Sequence, residues 1–265
     1  MWSQHRWWTV GLLALLMVLA AGGTCWAVFF RTVASPVSLR AALRIYRRDH
    51  VGGPTSTAAP SGPAVLTPGV YPYATSGSEG LNLMGVSRFF PARTAMVVTS
   101  GPGRSCSTVD WVPLVQHTES TTVCRSVDHS LAVSALTEYE TIGGSTTTTV
   151  VTCPSSTYFI PPIDLPGVHW TALCHQVSPA ENVTVSGQVV GLAPMDVGGT
   201  TVSALHVRLT FTFAGVDQGT SPADFWISTA RGLVVRERET AHITQDGVHY
   251  TELMDSRLTS VTPAG

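Results

Sequence analysis

Leu205-His206-Val207-Arg208-Leu209-Thr210-Phe211-Thr212-Phe213 decides how the rest of this chain of 265 residues is read. Leu205, Val207, Leu209, Phe211 and Phe213 alternate with His206, Arg208, Thr210 and Thr212, the period-two pattern of a half-buried β-strand. Burying five such side chains is worth roughly 1.5–3 kcal/mol each before entropy is subtracted. The stretch therefore demands an apolar surface opposite its greasy face. That surface is either a packed core or the wall of a ligand cavity.

On both sides of this strand the sequence keeps the same character. From Gly69 onward no convincing helix is found, only short runs rich in Val, Thr, Leu and aromatics, separated by turn signals. Expected strands are Val70–Ser76, Gly80–Val86, Ala92–Ser100, Cys106–Gln116, Thr121–Val127, Leu131–Glu140 and Ser145–Cys153. They continue as Val168–Val177, Val183–Leu192, Thr200–Ala214, Ala223–Ser228, Gly232–His242 and Val248–Val261. Gly198-Gly199 and Asp246-Gly247 are the strongest hairpin turns, because both supply residues that tolerate positive φ. So many sequential antiparallel strands accumulate twist and curl. The expected fold class is all-β, a long antiparallel meander forming a curved sheet, half-barrel or barrel. The apolar segment Pro154–Gly167, with Tyr158, Phe159, Ile160, Ile163 and Leu165, interrupts the meander and is expected as a lid over an edge or mouth, or as a plug at the bottom of a packed core.

Upstream lie three further segments. Trp7 to Phe30 carries no charge and is flanked by Trp7, Trp8 and Trp26, long enough to cross a bilayer, so residues 1–31 are expected to be an uncleaved transmembrane anchor rather than a signal peptide. Residues 32–50 are expected to form a juxtamembrane helix starting at Ser35-Pro36 and stopping at Gly52-Gly53-Pro54. Leu39, Ala42, Leu43 and Tyr46 form its apolar stripe, and Arg40, Arg44, Arg47 and Arg48 suit a surface of anionic lipid headgroups; the alternative is a helix packed on its own domain. Residues 51–68 are a Pro/Gly/Ser/Thr linker, leaving 69–265 as the β domain.

Four cysteines in a threonine-rich β domain fit an oxidising exterior, and Cys106–Cys124 and Cys153–Cys174 are the expected disulfides among three connectivities. The arginine count after the span points the other way under the positive-inside rule, and the cysteines are given precedence. The expected location is the cell membrane, single-pass, with the large C-terminal domain outside the cytoplasm.

Charge and motifs exclude several functions. The first 48 residues hold six arginines and no acid, whereas from Asp49 onward nine arginines face seventeen acids, so the β domain is no nucleic-acid binder. No lysine occurs, which removes P-loop, Schiff-base and Ser-x-x-Lys chemistry. Gly77-Ser78-Glu79-Gly80 is not a nucleophile elbow, and no HExxH, CxxC or EF-hand pattern is found. His242 and His249 are expected to face each other across the Asp246-Gly247 hairpin as an exposed polar pair. The alternation of Arg236, Glu237, Arg238 and Glu239 reads as a solvated strand face, and Glu138 with Glu140 as a same-face pair. No catalytic residue, metal site or cofactor is expected.

Thr220–Glu239, TSPADFWISTARGLVVRERE, resembles a hairpin of the LolA-like lipoprotein-localisation fold, which includes mycobacterial lipid-binding lipoproteins and RseB-type sensors. Over Pro68–Leu258 the chain is similar to actinobacterial secreted or membrane-anchored proteins that open with Pro68, Gly69, Val70, Tyr71, Tyr73, Thr75, Gly77 and Glu79 in this numbering. The first resemblance implies a curved sheet cradling an acyl chain, although this chain lacks the helices that would cover the concave face; the second implies no activity.

The expected function is noncatalytic: binding of a lipid or other hydrophobic ligand by the inward face of Leu205–Phe213 and the segment Tyr158–Leu165. The alternative is a filled-core module that docks another envelope protein. An interior void of several hundred Å³ separates the two.

Overall fold

The computed structural model describes residues 34–50, 65–82, 85–102 and 105–264. The expected membrane span and most of the linker lie outside the described residues; among the described residues no helix is long and apolar enough to cross a membrane.

Twelve antiparallel strands close into a barrel. In chain order the strands are β1 (Gly69–Leu81), β2 (Val86–Phe89), β3 (Arg93–Ser100), β4 (Cys106–Leu114), β5 (His117–Arg125), β6 (Leu131–Ile142) and β7 (Ser145–Thr152). They continue as β8 (Tyr158–Ile160), β9 (His169–Gln176), β10 (Glu181–Val197), β11 (Thr200–Ala214), β12 (Asp217–Ser228), β13 (Val234–Gln245) and β14 (Val248–Leu258). Each barrel strand pairs with its sequence neighbours, and β14 returns to β1 from Tyr73↔Leu258 to Leu81↔Tyr250, so twist has closed the sheet and removed its edges. β2 and β8 lie off the ring, on β1 and β6. The turns at Gly198-Gly199 and Asp246-Gly247 form as expected, all four residues at positive φ.

Several strand boundaries differ from the sequence reading, among them the start of β12 at Asp217 and the end of β10 at Val197, and three of the differences bear on the barrel's shape. Gly77 and Gly80 do not break the chain into two strands. β1 runs straight through them, because at Gly77 the backbone of β14 comes so close that a Cβ would lie 1.9 Å from the Leu253 carbonyl oxygen. β5 begins at His117 rather than at Thr121, since the turn before it is made by Val115 and Gln116, which carry no turn signal. The segment Pro154–Gly167 contains a short strand, β8, that the reading missed.

The helix α1 (Leu39–His50) is present but shifted. Ser38, not Ser35, caps it, its Oγ accepting from the Ala41 N–H at 3.2 Å. Ser35 instead accepts from Val115 and donates its own N–H to Gln116, pinning the preceding segment to the end of β4. Ala42 is fully buried, and with Leu43 and Tyr46 it packs on Val70, Ala95 and Val97 of the outer wall. Three of the four stripe residues therefore face the barrel, while Leu39 stays exposed. Arg40, Arg44, Arg47 and Arg48 stay exposed on the far side.

Both expected disulfides form. Cys106 and Cys124 sit directly opposite one another on β4 and β5, with Cα atoms 4.0 Å apart. Cys153–Cys174 prolongs the β7–β9 pairing, which otherwise consists of Val151↔Gln176 and Thr152↔His175. The barrel's thinnest seam thus carries one of the two covalent staples.

Candidate functional site

Inside the barrel lies a cavity of about 780 Å³. Its base is apolar, where Tyr71, Tyr73, Met96, Trp111, Leu209, Phe225 and Leu233 converge and Phe159 and Leu66 shut the end. Phe159 meets Phe225 edge to face, ring centroids 5.3 Å apart. The mouth is at the opposite end, where the β6–β7 and β13–β14 turns fall; Ser145, Thr146, Thr147, Ser178, Pro179 and Asp246 line it.

Between base and mouth runs a belt of carboxylates. Glu119, Glu138, Glu140, Glu237, Glu239 and Glu252 line the cavity, and Glu79 stands behind Glu252 in the wall. Two register pairs, Glu119↔Glu138 and Glu79↔Glu252, set acid directly opposite acid, an arrangement that repels unless protons or cations intervene.

Two buried cations serve part of the belt. β2 fills the place beside β1 that β3 leaves at Thr75, and from it Arg88, 3% exposed, donates to Glu79 and to the carbonyls of Thr141 and Gln116. Its guanidinium also lies 3.7 Å from Glu140. His117, fully buried, places Nδ1 at 2.5 Å from Glu79 and Nε2 at 3.0 Å from Glu119. Burial alone would push the imidazole toward neutrality, but these two carboxylates outweigh it and raise its pKa well above the ordinary value, so both nitrogens donate. Glu79, 1% exposed, is held below the usual carboxylate range because His117 and Arg88 overcome its burial.

For Glu138, Glu140, Glu237, Glu239 and Glu252 burial wins. Desolvation, reinforced by neighbouring carboxylates, lifts Glu138 and Glu239 to about 7 and Glu140 to about 8, and holds Glu237 and Glu252 well above the ordinary range. The Tyr250 hydroxyl lies 3.1 Å from Glu79 Oε2 and 2.6 Å from Glu252 Oε2. It has one proton to give, so a protonated Glu252 completes the chain by donating to it. At neutral pH the empty belt is thus a mixture of carboxylates and carboxylic acids. Glu79, His117 and Glu252 bring donor atoms within 4.8 Å of one another, but Arg88, Glu119 and Tyr250 already occupy them.

The sequence-predicted lining divides. Leu209, Phe211 and Phe213 face the cavity, while Val207 is packed core below it and Leu205, equally buried, borders a smaller recess. The segment at 158–165 is not a lid: β8 pairs with the start of β6, so it closes the base. Phe159 lines the cavity, Ile160 touches a smaller recess, and Tyr158 meets Trp170 edge to face away from the lumen. Ile163 and Leu165 point to solvent, 56% and 62% exposed, because the prolines around them turn the chain outward. His242 and His249 do not oppose each other; His242 faces Thr251, and His249 bonds Thr244 at 2.7 Å.

The belt is what sequence reasoning missed. Glu237 and Glu239 are not a solvated face: they share the inward side of β13 with Val235 and Ala241, leaving Arg236 and Arg238 on the outer wall. The same phase puts Glu138 and Glu140 with Leu136 and Ile142. The signal was present in that phase, since each acid falls in step with apolar residues of its own strand.

No family model and no curated protein matches the chain. Among solved structures it is similar to the crystal structure of the hypothetical lipoprotein YmcC from Escherichia coli K12, at 15% identity and a TM-score of 0.31, covering 72% of this chain and 87% of that one.

Proposed function

We propose that this chain is a noncatalytic envelope protein whose barrel holds a hydrophobic, lipid-like ligand in its lumen. The observation that carries this reading is the cavity of about 780 Å³ with an aromatic and aliphatic base, a size and lining typical of small-molecule sites. A filled-core docking module has no use for such a void, which costs packing energy when empty. The two disulfides agree with an oxidising compartment, as does the absence of lysine-based or nucleophile-elbow chemistry with a noncatalytic role. With the expected N-terminal anchor the barrel would stand beside a bilayer from which such a ligand would come, and the exposed Arg40, Arg44, Arg47 and Arg48 would suit its anionic headgroups.

Full-length protein reconstituted in nanodiscs and titrated with octanol tests this reading. Saturable binding is expected beyond what empty nanodiscs take up, and the variant Phe211→Asp, which sets a charge in the apolar lining, should weaken it by about tenfold or more. Uptake no greater than that of empty nanodiscs, in wild type as in the variant, would sink it.

A further inference from the structure

Resting on that reading, we propose that the ligand is an amphiphile with a cationic head: an apolar body seated on the closed base, and a protonated amine or similar compact organic cation held in the belt of carboxylates above it.

The order of surfaces along the lumen argues for this chemistry. Apolar base, acidic belt and hydroxyl-rich mouth follow one another from the plugged end to the open one. A molecule entering tail first leaves its head at the level of Glu138, Glu239 and Glu252. Eight carboxyl groups surround that level, Asp217 included, and among the described residues Arg88 and His117 are the cations that answer them. An anionic head, such as a fatty acid or phospholipid phosphate, meets repulsion there, and a neutral lipid leaves the belt unanswered.

A second observation points to a missing partner. Glu252 is 4% exposed and lines the cavity, yet its Oε1 has no hydrogen-bond partner among the described residues. Gln176, fully buried, likewise turns an unpartnered Oε1 onto the cavity wall while its amide donates to Asp217 at 3.0 Å. Both orphans are acceptors. Buried acceptors without donors are costly, and an ammonium supplies N–H donors together with positive charge. A bare metal ion fits less well, because the donors of Glu79 and His117 are engaged and the void is far larger than an ion.

Binding of a cation is then linked to pH. Facing the head are Glu79 on β1, Arg88 on β2, His117 and Glu119 on β5, and Glu138 and Glu140 on β6. Asp217 on β12, Glu237 and Glu239 on β13, and Tyr250 and Glu252 on β14 complete the surroundings. A cation favours the ionised forms of the protonated members, so it expels protons and binds more tightly as pH rises from 6 to 8.

The experiment titrates full-length protein in nanodiscs, empty nanodiscs subtracted, with octylamine, octanol and octanoate, one tail under three heads. Calorimetry in two buffers of different ionisation enthalpy counts protons. The expected result is octylamine binding about tenfold tighter than octanol, octanoate weakest, and roughly one proton released per octylamine at pH 7. The double variant Glu239→Gln/Glu252→Gln copies the protonated carboxyls in shape and retains the fold. It should lose most of the preference for octylamine over octanol. Equal binding of all three heads, tighter binding of octanoate, or an amine preference untouched by the double variant would overturn the cationic head and leave the hydrophobic-ligand reading standing. Failure of all three to bind overturns both.

Discussion

Glu239 shows how one residue can be legible in sequence and misread. Its neighbours Arg236, Glu237 and Arg238 look like solvated charge, but a strand sends alternate side chains to opposite faces, so the glutamates and arginines part company. Inside, Ser221 donates to Glu239, yet burial still lifts its pKa to about 7. A carboxyl whose folded value lies above its unfolded value holds more protons folded than unfolded, so it lowers stability as pH rises through that window. Glu239→Gln removes this penalty. Thermal unfolding of empty protein should show the variant more stable than wild type by several degrees at pH 8 and little changed at pH 5. Gly77 is the opposite case, a residue whose role only the neighbouring strand reveals. At φ +135° and with a Cβ position 1.9 Å from the Leu253 oxygen, Gly77→Ala forces β1 and β14 apart at the closure of the barrel. The expected loss is more than about 3 kcal/mol, read from denaturant unfolding.

Among the elements, the wet face of β11 finds its partners where the alternation says it should. His206 bonds Asp224 at 2.7 Å and stacks on Trp226, ring centroids 4.3 Å apart, while Arg236 lies over the same indole. β11 also has the boundaries expected of it, Thr200 to Ala214, because its turns carry glycine and its period is unbroken. β5 and β8 were harder to place. Val115 and Gln116 turn the chain by position rather than by preference, and β8 is a three-residue strand held by β6. The β7–β9 seam makes a prediction at this scale. Its two-residue ladder leaves Cys153–Cys174 to hold the wall shut, whereas Cys106–Cys124 sits within a long one. Replacing Cys153 and Cys174 by serine should cost about 3 kcal/mol by the chain-entropy relation. Amide exchange should accelerate in β7 and β9 specifically, while the matching pair at Cys106 and Cys124 leaves exchange in those strands unchanged.

At the scale of the whole molecule, the barrel encloses more acid than it neutralises, and its stability should record that. Glu138 and Glu239 act from 4.5 up to about 7 and Glu140 up to about 8, all lowering stability with rising pH. His117, raised, contributes stability below its unfolded value that is lost as pH climbs through its folded one, the same direction. Glu79 and Asp255 are lowered, the latter by Arg236 and Arg257 against its burial, and lose their contribution only as pH falls below the ordinary carboxylate range. Unfolding temperature should therefore peak near pH 5 and fall by about 5 °C or more toward pH 8. A flat profile between pH 5.5 and 8 would show that the belt is solvated rather than buried.

Period-two alternation, turn glycines and paired cysteines are local properties, each legible within a dozen residues. The sequence by itself therefore determined that the chain is an antiparallel meander with two sequential disulfides. Closure, the void and the belt are not local. β14 meets β1 across most of the chain, and only that meeting turns one row of side chains from a concave surface into a lumen. Whether Glu138 or Glu239 faces water or a low-dielectric interior depends on which strands stand opposite, and those strands lie far away in sequence. The tertiary structure decided it because the field at a carboxylate is summed over everything near it in space.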